Sequence, residues 1–155
     1  MESRLIVLVS VCLGVVFRVL GLHAAPTLTG FADVDISPDI GMERPGGYGK
    51  SYHQAFHDPC KARAVVFDDG ENPVALVGLD ALIIVEGHVA EVRRRVAEET
   101  DIAAGVVMIG ASHSHSSGPS GMVQPGQFNH ADALIQHLAY EESSMADPVY
   151  VERMI

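Results

Sequence analysis

The chain has 155 residues, 48% of them hydrophobic, enough for one modest domain with a buried core. Ten Lys+Arg stand against twenty Asp+Glu, a formal charge of −10, and a surface of that sign repels a phosphate backbone. Nucleic acid is excluded as a partner on this ground.

The N-terminus, MESRLIVLVSVCLGVVFRVLGLHAAP, has a short polar start with Arg4, an apolar run from Leu5 to Phe17 and small residues at Ala24 and Ala25. That is the anatomy of a secretory signal peptide, and its apolar part is too short to span a bilayer comfortably. Cleavage is expected after Ala24, because Pro26 makes the next bond awkward; an uncleaved anchor is the alternative. The boundaries are then a signal peptide over 1–24 and a domain over 25–155, in a protein secreted or held in the periplasm or cell envelope. Without the leader Cys60 is the only cysteine, which rules out an internal disulfide and reads as a small buried apolar residue.

GFADVDISP alternates Phe31, Val34 and Ile36 imperfectly with polar positions and ends at Pro38, which predicts a first short strand. DIGMERPGGYGKSYHQAFHDP follows, rich in glycine and proline and without a sustained period: a long ordered loop, of the kind that carries function. KARAVVFDDGENPVALVGLDALIIV has two apolar runs around Asp69-Gly70 and Asn72-Pro73, the composition of a β-hairpin with an extended turn. EGHVAEVRRRVAEET sets Val85, Val89, Val92 and Val96 on one helical face, with Glu91 placed to pair with Arg95. GVVMIGA reads as a further strand, and ADPVYVERMI opens a final helix.

Strand 74–79, helix 86–100 and strand 106–111 make a βαβ unit whose right-handed crossover renders the two strands parallel. The fold class is α/β, a mixed sheet containing that unit. Both parallel strands end on one sheet edge, where open α/β sheets bind ligands. Asp80 ends the first, and the second runs into ASHSHSSGPSG. In extended geometry His113 and His115 point the same way, so the pair can give a metal two nitrogens, or give it one and leave the other for substrate. The plainer alternative is a polar loop with two solvated histidines.

Other candidates carry less. Gly49-Lys50-Ser51 matches the end of a phosphate-binding loop, but Arg44 stands where that motif needs glycine. His53 and His57 have helical metal-ligand spacing in loop-like surroundings, which favours a solvated or substrate-facing role. Asp80 could orient a ligand histidine, whereas Asp35 reads as a strand-end cap. Phe31, Phe56 and Met122 could line an apolar groove, although core packing is the default for each. Asn129, His130 and His137 lie near a predicted helix and are expected at the surface.

Taken in order, GFADVDISPDIG, PGGYGK, KARAVVF, VGLDALII, EVRRRV and VVMIGASHSHSSGPSG resemble the N-terminal part of the catalytic domain of the neutral/alkaline non-lysosomal ceramidase family, from about Gly30 onward. The resemblance implies a zinc-dependent amidohydrolase that cleaves the amide of an N-acylsphingosine, or a related lipid-like N-acyl small molecule, with peripheral membrane contact. In that family the loop reads Thr-His-Thr-His-Ser-Gly-Pro and its first histidine binds zinc. Carried over, His113 is the metal ligand, His115 is a catalytic group beside the substrate, and Gly47, Tyr48 and Gly49 border the substrate pocket.

Two departures stand against the match. Ser112 and Ser114 replace the threonines, and an additional serine puts Ser116-Ser117 before Gly118. Family members are also several times longer, with their remaining zinc ligands in later segments that have no counterpart here. The expectation is a C-terminally truncated portion of a larger domain, inactive by itself. The alternatives are a hydrolase of the same architecture acting on another amide or ester, and a non-catalytic binding or structural module of the envelope.

Overall fold

The computed structural model describes residues 26–47 and 49–155, so the expected leader over 1–24 and Tyr48 lie outside the described residues. Four strands, β1 (Leu28–Asp35), β2 (Lys61–Asp68), β3 (Val74–Leu79) and β4 (Val107–Ala111), form one sheet in sequential order. β1, β2 and β3 are antiparallel neighbours, and β4 joins β3 in parallel, Leu76 opposite Met108 and Leu79 opposite Ala111. Helix α1 (Glu86–Glu99) is the crossover between β3 and β4, as the apolar runs and helical spacing predict. The fold is therefore α/β with a mixed sheet.

The β2–β3 turn forms because the Asp69 carboxylate accepts from the Glu71 and Asn72 amides while Gly70, at φ +90°, takes the left-handed position. On α1, Glu91 accepts from Arg95 at 2.8 Å and from Arg94, and Arg95 reaches on to Glu152 of the C-terminal helix. Arg93 Nε donates to the Val107 carbonyl, tying the crossover to the start of β4. Helix α2 (Ala133–His137) continues into a single π-helical turn, and α3 (Pro148–Met154) starts at Asp147, whose carboxylate caps the Val149 and Tyr150 amides.

One face of the sheet meets the core. Leu79, with Ala62, Val77, Ile109 and Ala111, packs with Ile36, Cys60, Ala81, and Tyr150 and Met154 of α3. The other face is open: the cross-strand row Phe31–Val65–Leu76–Met108 runs over all four strands, with Phe31 81% and Met108 65% exposed. Phe31 and Met122, for which core packing was the default, are both exposed. The strand pattern says which residues share a face, but only tertiary structure says which face is covered.

Residues 36–60, which include the stretch 39–59 expected as an aperiodic loop, form a laddered arm. Ile36 N donates to Cys60 O across its base, Gly41 N to His53 O, His53 N to Met42 O and Arg44 N to Ser51 O, all within 2.9 Å. Its tip is the glycine-rich stretch. Among the described residues no helix is long and apolar enough to cross a membrane.

Candidate functional site

β4 ends at Ala111, and the chain stays fastened to the segment after β3: Ser112 N donates to Leu79 O at 2.9 Å and Ser114 N to Ala81 O at 3.0 Å. Between these two bonds His113 takes φ +62°, a left-handed conformation uncommon for a residue with a side chain. The extended geometry expected for the pair therefore does not hold. The imidazoles still meet, with ring centroids 5.0 Å apart and planes at 80°, because the turn at His113, not strand pleating, brings them together.

Each ring is held through Nδ1 by a backbone carbonyl. His113 Nδ1 lies 3.0 Å from Leu82 O, and His115 Nδ1 lies 2.7 Å from Gly46 O at the tip of the arm. A carbonyl only accepts, so Nδ1 of each ring carries a proton, and in the neutral imidazole it is Nε2 that keeps the lone pair. That is the tautomer a metal ligand or a proton acceptor needs. Asp80, a candidate for orienting a histidine, does something else: its carboxylate accepts from the Lys61 amide and from Arg63, both at 2.9 Å. The orienting is done by carbonyls, which no sequence motif marks.

The rest of the loop is packed hard. Ser117 is fully buried, its hydroxyl donating to Ser114 O, while its carbonyl accepts from His53 Nε2 at 2.9 Å. His53 is thus buried, contrary to a solvated role, and stacks on Phe56 at 4.6 Å. His57 is at the surface beside Asp58. A Cβ on Gly118 would lie 2.2 Å from the buried ring of Tyr150, whose hydroxyl makes no hydrogen bond within normal geometry among the described residues and whose pKa burial pushes up to about 12. Gly121, at φ +65°, leaves no room for a side chain against the Ala146 backbone.

A cleft of about 370 Å³ borders this loop, lined by His53, Phe56, Cys60, Asp80, Ser114 and Ser116 among others. Cys60 is buried, as expected of a lone cysteine, and burial, with Asp80 and Asp35 nearby, holds its thiol above the usual range. Asp35 serves as the strand-end cap expected of it: its carboxylate accepts from the Ser37 amide, and the Ser37 hydroxyl and then that amide hold it below the usual range. His130 and His137 are exposed, also as expected.

Gly47 and Gly49 sit at the arm's tip, but the residue there that touches the histidine pair is Gly46. Among the described residues no group of three or more His, Cys, Asp or Glu side chains converges to hold a metal. The donors present suit zinc in kind, two imidazoles with Nδ1 fixed, and fall short of the three protein ligands zinc normally takes.

No protein-family model matches the sequence, and no curated protein matches it. Among solved structures, the crystal structure of neutral ceramidase from Pseudomonas aeruginosa is similar, with a TM-score of 0.56 and 22% identity over 62% of this chain and 16% of that one. A ceramidase complexed with C2 matches over the same shares at 23% identity and a TM-score of 0.47. The chain thus spans 16% of the length of the structures it matches. At this identity the likeness is one of fold: the mixed α/β unit found here has a counterpart inside a neutral ceramidase.

Proposed function

We propose that this chain carries part of the active centre of a zinc-dependent hydrolase of the neutral ceramidase type, acting on the amide of an N-acylsphingosine or a related N-acyl lipid. The observation that carries the reading is the histidine pair: two adjacent imidazoles at the end of a parallel strand, each with Nδ1 bound to a carbonyl and Nε2 left as the donor nitrogen. The fold shared with a neutral ceramidase supports it.

In this reading His113 Nε2 binds the metal, with further ligands from outside the described residues, and His115 Nε2 handles a proton beside the substrate. Zinc, when bound, polarises an amide carbonyl and brings a bound water toward neutral pKa. Gly47, Tyr48 and Gly49 border the substrate, and their lack of bulk at the two glycines allows close approach to the backbone. The leader over 1–24 belongs to the same proposal and takes the protein to the periplasm, the cell envelope or the exterior.

The test is zinc per chain by elemental analysis, for this chain and for any longer product of its reading frame, each with and without His113→Ala. Stoichiometric zinc that disappears with His113 supports the reading; no zinc in any form overturns it. A second reading, a non-catalytic envelope module, is favoured by the shortfall of metal ligands among the described residues, and it predicts that last result.

A further inference from the structure

The arm of residues 36–60 reaches 69 positions along the chain to touch one atom of the histidine pair. Four backbone hydrogen bonds and the Glu43–Tyr52 bridge hold it, Pro45 before the contact is fully buried, and His53 bonds the Ser117 carbonyl in the histidine loop itself. The Gly46 carbonyl is therefore presented at a set point. Gly46 adopts φ +83°, and a Cβ built on it would lie 2.6 Å from Cγ and Nδ1 of His115. Backbone sign and space both demand glycine, and what fills the space is the imidazole.

We infer that Gly46 is the positioning residue for His115: its carbonyl fixes the Nδ1–H tautomer, and its missing side chain lets the ring lie against the arm. It touches neither substrate nor metal in the proposed reaction and acts through the imidazole. The inference takes its functional meaning from the hydrolase reading, but the contact is a property of this chain whatever that reading's fate.

A side chain at position 46 does two things. It drives the ring away from the carbonyl, and it leaves His115 with no partner among the described residues to choose between its nitrogens. Losing one hydrogen bond of ordinary strength shifts the ratio of Nδ1–H to Nε2–H forms by about fivefold. The general strain of a side chain at positive φ is controlled by Gly41, at φ +93° in the same arm, where an added Cβ meets nothing within 4 Å.

The experiment is nitrogen-15 NMR of histidine-labelled full chain at alkaline pH, where long-range couplings report which ring nitrogen of His115 carries the proton. The expected result is a dominant Nδ1–H form in the parent, a fall of about fivefold in its ratio to Nε2–H in Gly46→Ala, and the parental ratio in Gly41→Ala. A dominant Nε2–H form in the unsubstituted chain, where folding of a variant is not at issue, overturns the inference. So does a folded Gly46→Ala chain with the parental ratio. The zinc measurement is independent: its failure removes the hydrolase reading and leaves the tautomer result standing, whereas a wrong tautomer removes Gly46 and leaves zinc binding untouched.

Discussion

His113 and His115 occupy neighbouring positions with different tethers, and their substitution should separate two roles. If the proposed hydrolase reading holds, His115→Ala in a zinc-loaded protein is expected to keep most of the metal while turnover falls by about 10²–10⁴, the usual worth of a positioned acid–base group. Equal loss of zinc from His113→Ala and His115→Ala would make both residues ligands and end the division of labour. Gly121 makes a structural prediction at the same scale. Its φ of +65° and the Ala146 backbone within contact distance mean that Gly121→Ala costs more than the ~1–2 kcal/mol of left-handed strain alone, read as a lower denaturation midpoint. The histidine pair was legible as residue types at a strand end. Its tautomers were not, because they depend on two carbonyls, those of Leu82 and Gly46, supplied by segments remote in sequence.

Helix α1 and the parallel pair β3–β4 were legible almost to the residue, since Val85, Val89, Val92 and Val96 keep a helical period and the flanking runs are too apolar and short for anything but strands. The 36–60 arm was not: its ladder pairs Gly41, Met42 and Arg44 with His53 and Ser51 through backbone groups that leave no side-chain pattern. Two predictions belong to the helices. Asp147 caps both the Val149 and Tyr150 amides, so Asp147→Ala should cost about 1 kcal/mol in chemical denaturation and loosen α3 first. On α1, hydrogen bonds from Arg94 and then Arg95 bring Glu91 from 4.5 to about 2. Between those values the unfolded chain binds the proton and the folded one does not, so stability from Glu91 is present above pH 4.5 and is lost as pH falls toward 2. Acid titration of the unfolding midpoint should show a shallower decline in Glu91→Gln.

For the whole molecule the sheet's two faces set the behaviour. One is covered by α3 and the arm, while the other shows Phe31, Leu76 and Met108 to solvent in one row. A contiguous exposed apolar patch of this kind binds hydrophobic dyes. The chain in its native state should therefore enhance anilinonaphthalene sulfonate fluorescence, and Phe31→Ser with Met108→Ser should remove most of that signal without altering the far-ultraviolet circular dichroism. Alternation along the strands showed which side chains share a face, but the residue types do not say which face goes uncovered: Phe31 is as apolar as Ile36, and only Ile36 is buried.

The spans of the contacts that build the site also set when it can exist. The arm leaves the ribosome well before the residues it must meet, 64 positions ahead for His53 and Ser117 and 69 for Gly46 and His115. A contact that closes so long a loop carries its entropy cost before it is made, so the arm is expected to dock on the histidine loop only once β4 has paired with β3. The imidazole pair is consequently a timestamp of completed folding: a nascent or partly opened chain can hold its hairpin and its crossover helix and still have no site.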